Sequence, residues 1–122
     1  MAKTILIVDD SASLRQVVAI ALKGAGYDVI EAFDGDDGLS KLDGKKINLI
    51  ISDVNMPNKD GIAMVKEIKT KAAYKFTPII MLTTEAGANM KEQGKAAGVK
   101  AWVVKPFKPD QMLDAVSKLV AP

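Results

Sequence analysis

The sequence predicts an α/β fold with a doubly wound, five-stranded parallel sheet, and two observations support this. Short apolar runs alternate with segments whose apolar residues recur at helical spacing, which is the βα pattern of a parallel sheet. The apolar residues within the runs are mostly continuous, as expected for strands covered by helices on both faces. We therefore predict strands at Thr4–Val8, Asp28–Ala32, Ile47–Ser52, Pro78–Thr83 and Ala101–Val104.

Segments with helical periodicity fill the intervals between these strands. The first helix ends at Gly24-Ala25-Gly26, and the second begins near Asp34-Gly35. The third helix follows Asp60-Gly61, and the last has Pro109 in its first turn, where proline is tolerated. The first helix is predicted to bury one apolar stripe, formed by Leu14, Val17, Val18, Ala21, Leu22 and Ala25.

The fourth predicted helix, near Ala88–Ala97, has the poorest helical sequence. It contains Gly94, follows Gly87 and offers little apolar surface. A glycine in an exposed helix interior costs about 1 kcal/mol relative to alanine. We therefore expect this helix to be the least stable one, and low local stability is typical of elements that move in switching.

Length and composition exclude several classes of function. A chain of 122 residues predicts one domain over residues 1–122, and it contains no cysteine and no histidine. It therefore lacks the commonest general base and cannot serve as its own phosphohistidine donor. A net charge of +2 without a basic run argues against nucleic acid, and no apolar segment is long enough to span a membrane. We expect a cytoplasmic domain.

Four of the predicted strands carry polar residues at their carboxyl ends. They are Asp9 and Asp10 after the first strand, Asp53 after the third, Thr83 and Thr84 at the end of the fourth, and Lys105 after the fifth. The carboxyl ends of parallel strands meet at one edge of the sheet, which is where ligands of such sheets bind. We therefore expect these side chains to form one site.

Each of these residues also has an ordinary structural explanation. An aspartate or a threonine at the end of a strand can cap the next helix, and a lysine is usually solvated. Two adjacent aspartates exceed the need of one cap, however, and a pair of carboxylates can bind Mg²⁺. Three carboxylates at one edge repel one another, so that either one is protonated or a cation lies among them.

The fifth strand ends at a lysine whose backbone is restricted. Pro106 disfavours a helical conformation at Lys105 and is a candidate for a cis peptide bond, which would fix the direction of the lysine side chain. A fixed ammonium group beside carboxylates can clamp a phosphoryl oxygen. Asp53 could then serve as a nucleophile whose charge a metal ion neutralises. Trp102 in this strand is most simply a partly buried packing residue.

The chain resembles the receiver domains of two-component response regulators over essentially its whole length, and within them the stand-alone chemotaxis type. The resemblance rests on Val8-Asp9-Asp10, on Ser52-Asp53-Val54-Asn55-Met56-Pro57 with Asp60-Gly61, on Leu82-Thr83, and on Lys105-Pro106-Phe107. It implies a flavodoxin-like three-layer sandwich with strand order 2-1-3-4-5. It further implies a phosphoacceptor protein rather than an enzyme, with only self-phosphotransfer and self-dephosphorylation.

The resemblance also implies the chemistry of the acidic residues. Asp53 would accept a phosphoryl group from the phosphohistidine of a partner histidine kinase. Mg²⁺ would be bound by Asp10 and Asp53, with Asp9 acting partly through water and the backbone carbonyl of Asn55 completing the ligands. Asn55 and Glu85 would lie beside the path of an attacking water. A polar and an acidic residue there suggest relatively quick self-hydrolysis.

The remaining positions are those that the resemblance assigns to switching. Lys105 would contact the phosphoryl group, Thr83 would hydrogen-bond to it and move, and Trp102 would turn inward as the aromatic switch residue. Tryptophan is bulkier than the tyrosine or phenylalanine usual there. Relatives that bind the flagellar motor carry lysines early in the fourth helix, where this chain has Gly87, Ala88 and Asn89. The output partner, a flagellar switch component or another chemotaxis regulator, therefore stays open.

Three alternative functions compete with this interpretation. Within the receiver class, the chain could be a phosphate sink or relay for a shared kinase. A Mg²⁺-dependent phosphohydrolase of the haloacid dehalogenase type needs a general acid where this chain has Asn55. A flavin-binding carrier needs a phosphate-binding loop after the first strand, where Asp9 and Asp10 would repel the phosphate. We expect a monomer with no nucleic-acid or membrane partner.

Overall fold

The structure is a computed structural model that describes residues 3–54, 61–83, 92, 95–105 and 107–121, with only the backbone of residue 83. Its strands pair in parallel in the order β2-β1-β3-β4-β5. The order and the parallel direction confirm the predicted fold class. The strands are β1 (Thr4–Val8), β2 (Asp28–Ala32), β3 (Leu49–Asp53), β4 (Ile79–Thr83) and β5 (Ala101–Val104).

The bounds of three strands match the prediction, while β3 and β4 begin later. The strand β3 begins at Leu49 rather than Ile47, because the Asn48 side chain accepts the hydrogen bond of the Thr4 amide at 2.9 Å, just before the ladder starts. The strand β4 begins at Ile79 rather than Pro78, since proline has no amide hydrogen to donate to a ladder. The strand β3 also extends one residue further than predicted and includes Asp53.

Four helices are assigned bounds in the described part of the chain, and they lie where the sequence predicts them. They are α1 (Ala12–Gly24), α2 (Gly35–Lys41), α3 (Gly61–Ile68) and α4 (Pro109–Leu119). Of the helix predicted near Ala88–Ala97, only Glu92 and residues 95–97 are described, in helical conformation. Its predicted low stability therefore concerns residues that lie mostly outside the described ones. No helix in the described ranges is long and apolar enough to cross a membrane.

Two apolar clusters cover the two faces of the sheet. On one face, Ile7 and Ile51 pack with Leu22 of α1 and Val116 of α4. On the other face, the sheet packs against α2 and α3 in a cluster that includes Leu6, Val8, Ile50, Met64 and Ile68. Fully burying one such side chain stabilises the fold by about 1.5–3 kcal/mol. The fully buried strands explain why their sequences are continuously apolar.

The buried stripe of α1 differs from the predicted one. Val17 is 51% exposed, and the buried residues are Val18, Ala19 and Leu22. Successive residues of a helix are rotated by about 100°, so that position 17 points away when positions 18 and 22 face the sheet. The assignment of Val17 to the buried stripe was therefore wrong.

The sheet register brings polar residues of different strands to one edge and one face. Ile7 pairs with Ile51, so that Asp9 and Asp53, each two residues further along, belong to the face that α1 and α4 cover. Because side chains alternate along a strand, Lys105 shares the face of Val103 two residues earlier. The carboxyl edge of the sheet thus collects two carboxylates and an ammonium group.

A close backbone approach at Gly61 holds the start of α3 against the end of β3. The Gly61 amide donates to the Val54 carbonyl at 2.8 Å. A Cβ at this position would collide with the backbone carbonyl of Asp53 and with the Met81 side chain. Only glycine therefore fits this approach without a shift of the backbone that carries Asp53.

We predict that Gly61→Ala lowers the free energy of unfolding by about 2 kcal/mol, because the added methyl group forces the main chains apart. The matched control is Gly24→Ala at the end of α1, where a Cβ would meet nothing within 4 Å. This control should raise stability by up to about 1 kcal/mol, as alanine is the better helix former. Urea unfolding measures both, and equal effects of the two substitutions would contradict the prediction.

Candidate functional site

Three carboxylates lie together at the carboxyl edge of the sheet. Asp9, Asp10 and Asp53 each offer an oxygen, and these oxygens lie within 4.8 Å of one another. Asp9 and Asp53 are buried, with 1% and 7% of their surface exposed, whereas Asp10 is exposed. The site thus has a buried floor and an open side, and its donors are the hard oxygen ligands that Mg²⁺ prefers.

The Lys105 side chain lies between the two buried carboxylates. Its Nζ is 3.3 Å from Asp9 Oδ2 and 3.2 Å from Asp53 Oδ2, and the side chain is only 18% exposed. Lys105 is therefore part of the site rather than a solvated surface lysine. One ammonium group offsets part of the negative charge of three carboxylates, so that the cluster keeps affinity for a further cation.

Asp9 is held from several sides by the chain around it. Its amide donates to the Ala32 carbonyl at 3.1 Å, and its Oδ1 accepts from the Ser11 amide at 2.8 Å. Burial raises the pKa of the Asp9 carboxyl and the charge of Asp53 adds to this, while the Ser11 amide and Lys105 act in the opposite direction. Loss of water around the carboxylate is the largest of these effects.

Helix capping does not account for the paired aspartates. The cap of α1 is Ser11, whose Oγ accepts from the Leu14 amide at 3.3 Å. Asp34 caps α2 by accepting from the Asp37 amide at 2.7 Å. Capping of this kind was the ordinary structural role considered for Asp9 and Asp10 from the sequence. Ser11 therefore caps α1, and the carboxylates of Asp9 and Asp10 belong to the acidic cluster.

One residue that contacts the site was not predicted from the sequence. Arg15 reaches back from α1, and its Nη1 donates to the Asp9 backbone carbonyl at 2.6 Å. An arginine in the first turns of an amphipathic helix normally indicates only a solvated position. No sequence pattern distinguishes it, because the contact depends on how α1 packs over the end of β1.

Trp102 packs against the cluster that α2 and α3 share with the sheet, and it is partly buried. A groove of about 500 Å³ runs along the edge strand, lined by Trp102, Val103, Val104, Lys105, Gln111 and Ala115. The tryptophan therefore borders an open groove that the site lysine also lines. This placement agrees with the expectation that it is a partly buried aromatic residue.

Several predicted site residues lie outside the described part of the chain. They are Asn55, Thr84, Glu85 and Pro106. Thr83 ends β4 and pairs with Val104 in the register, but its side chain is likewise not described. The roles expected of these residues stay predictions.

The chain matches the family model of the response regulator receiver domain over residues 5–117. It therefore belongs to the response regulator receiver domains, as the motifs indicated. Members of this family act generally as phosphoacceptor switches, and their acidic pocket binds Mg²⁺. The fold, the acidic cluster and the lysine at the strand edge are thus those of a receiver.

Individual relatives support a chemotaxis-type receiver. The chain is 39% identical over 107 residues to chemotaxis protein CheY1 of Helicobacter pylori, covering 86% of each chain. The structure of chemotaxis protein CheY4 of Vibrio cholerae matches with a TM-score of 0.95 and 44% identity, covering 98% of this chain and 100% of that one.

A more distant structure contains a metal ion. The receiver domain of sensor histidine kinase PA1611 of Pseudomonas aeruginosa matches with a TM-score of 0.90 and 25% identity over both whole chains. That structure has a magnesium ion coordinated in the active site cleft. A receiver of the same fold thus holds Mg²⁺ in its cleft.

We predict that Asp9→Asn stabilises the metal-free protein at pH 7. The raised pKa of Asp9 means that its ionisation costs folding stability. This cost is absent below the ordinary pKa of 3.8 and grows as the pH rises through the higher pKa of the folded state. The advantage of Asp9→Asn should therefore shrink as the pH falls toward 4, and urea unfolding at several pH values measures it.

The control for this prediction is Asp28→Asn, at the exposed start of β2. It should change the free energy of unfolding by less than about 0.5 kcal/mol. A gain for Asp9→Asn that stays constant from pH 7 to pH 4 would contradict the assigned cause.

Proposed function

We propose that this chain is a phosphorylation-activated switch of a two-component pathway, in chemotaxis-type signalling, in which Asp53 accepts a phosphoryl group from a histidine kinase. The observation that carries the proposal is the Lys105 ammonium group between Asp9 and Asp53, with Asp10 completing the acidic cluster. Membership of the receiver family and the similarity to chemotaxis proteins support it.

The residues present fit a magnesium ion. Three carboxylate oxygens within 4.8 Å of one another supply hard ligands, and the chain has no histidine or cysteine to favour a softer metal. Asp10 and Asp53 would hold Mg²⁺, with Asp9 acting partly through water and with the carbonyl of Asn55. When bound, the ion supplies positive charge that offsets the carboxylates and the phosphoryl group.

The protein's own part in the transfer is positioning and charge stabilisation. A carboxylate oxygen of Asp53 forms a bond to phosphorus as the bond from phosphorus to the donor histidine nitrogen breaks. Lys105 Nζ, 3.2 Å from Asp53 Oδ2, is placed to contact an oxygen of the transferred group. Asp53 lies at the end of a fully buried strand, which limits its freedom.

Release of the signal needs only water, because the acyl phosphate on Asp53 is hydrolysed at phosphorus. Asn55 and Glu85 are proposed to lie beside the path of that water and to set the lifetime of the phosphoryl group. The protein would thus perform self-phosphotransfer and self-dephosphorylation without turning over an external substrate.

The switching surface is proposed to lie beside Lys105 on the edge strand. Thr83 and Thr84 would follow the phosphoryl group from the end of β4, and Trp102 would turn further inward. Trp102 is partly buried and borders the open groove between β5 and α4, which supports a surface that changes shape there. The output partner would bind along β5, α4 and the predicted helix near Ala88–Ala97.

We predict that Asp53→Asn abolishes phosphoryl incorporation, measured as acid-stable but base-labile label from a histidine kinase or from acetyl phosphate with Mg²⁺. Lys105→Met should slow incorporation about a hundredfold, because it removes a charge that is aimed at the transferred group. Asp43→Asn, an exposed aspartate in the loop before β3, serves as the control and should react like the wild type. Undiminished labelling of Asp53→Asn would refute the proposal.

We further predict that the fluorescence of Trp102, the only tryptophan, responds to activation. Beryllofluoride with Mg²⁺ should shift its emission to shorter wavelength and reduce quenching by acrylamide, because the ring becomes more buried. Asp53→Asn is the matched control and should give no change. An unchanged wild-type spectrum would count against inward movement of Trp102.

A separate experiment distinguishes an output protein from a phosphate sink. The beryllofluoride-loaded protein is used to capture its partners, and a sink would capture only a kinase.

A further inference from the structure

A largely buried arginine contacts the peptide that joins the two aspartates of the site. Arg15 Nη1 donates to the backbone carbonyl of Asp9 at 2.6 Å, and its side chain is 17% exposed. The cation therefore does not contact a carboxylate of the cluster but holds the main chain between Asp9 and Asp10. A hydrogen bond from a charged donor is about twice as strong as a neutral one.

This contact completes the restraint of the peptide. The Asp9 amide is held by the Ala32 carbonyl, and the Asp9 side chain is held by the Ser11 amide and by Lys105. Because a peptide unit is planar, fixing the carbonyl of Asp9 also fixes the direction in which the backbone enters Asp10. Asp10 is exposed, so that burial does not orient its carboxylate.

An acidic residue of β2, Glu31, holds Arg15 in place. Arg15 Nε lies 3.4 Å from Glu31 Oε1 on β2, although Nε is buried without a hydrogen bond of good geometry. The Glu31 side chain is 38% exposed, so that water partly screens the charge it presents to Arg15. The pair thus ties the first part of α1 to the neighbouring strand, with the Asp9 carbonyl between them.

We propose that Arg15 is a positioning residue for the magnesium site, acting through the Asp9–Asp10 peptide, and that Glu31 holds Arg15 in that position. The inference rests on the proposed function, since it assigns these residues to the metal site that phosphoryl transfer needs. Groups that orient metal ligands from behind change metal affinity about 10–100-fold when they are removed.

The test is the affinity for Mg²⁺ alone, measured by calorimetric titration of the full chain. Arg15→Met should weaken binding about tenfold, because the Asp9 carbonyl loses its donor. Arg15→Lys should restore affinity to within about threefold of the wild type, since an ammonium group can still donate to one carbonyl. Glu31→Gln should weaken binding less than Arg15→Met, and should add nothing to it in the double variant.

The matched control is Val18→Ala, which removes a buried side chain from the same helix without touching Asp9. It should lower thermal stability but leave Mg²⁺ affinity unchanged. The NMR chemical shifts of the Asp9 carbonyl carbon and the Asp10 amide nitrogen provide a second measurement in the metal-free protein. They should move in Arg15→Met and stay in place in Val18→Ala.

Two outcomes separate failure of this inference from failure of the proposed function. If the wild type binds Mg²⁺ and Arg15→Met binds it equally well, or no worse than Val18→Ala, the positioning role is overturned and the proposed function stands. If the wild type binds no Mg²⁺, the metal-dependent function is overturned and the positioning role falls with it.

Discussion

Three carboxylates that the fold brings to one edge of the sheet repel one another, and this repulsion governs the chemistry of the site. Asp9, Asp10 and Asp53 lie within reach of one cation, and the described residues place only Lys105 between the two buried ones. Burial raises the pKa of Asp9, so that the metal-free fold bears a cost for keeping it ionised. Such stored repulsion favours binding of a metal ion, and it makes the site responsive to added charge.

The frame that keeps these charges together is made of main chain and packing. The strand β3 is buried along its whole length. The backbone of Gly61 lies so close to the Asp53 carbonyl that no space is left between the start of α3 and the end of that strand. Asp9 is held from three sides, because its amide donates to the Ala32 carbonyl while its oxygens accept from Ser11 and Arg15. Rigid support behind the carboxylates and an open side at Asp10 together give a site that is fixed in shape yet accessible.

Much of the fold was predictable because local patterns are strong in this chain. The bounds of β1, β2 and β5 and the starts of α2, α3 and α4 follow from apolar runs, proline and glycine. Errors arose where a tertiary contact decides: Asn48 delays β3 by bonding to Thr4, and the packing of α1 leaves Val17 in solvent. From the sequence, Asp9 was also a candidate for the cap of α1, and in the structure Ser11 holds that position.

Local patterns in the chain predict the fold class, the family and the set of polar residues at the strand ends. Long-range packing, by contrast, sets Lys105 between Asp9 and Asp53, brings Arg15 to the Asp9 carbonyl and leaves Trp102 beside a groove. Lys105 and Asp9 are 96 residues apart, and their contact depends on the register of the sheet. A shift of one residue would turn every side chain of a strand to the other face, so that no local pattern can specify such a contact.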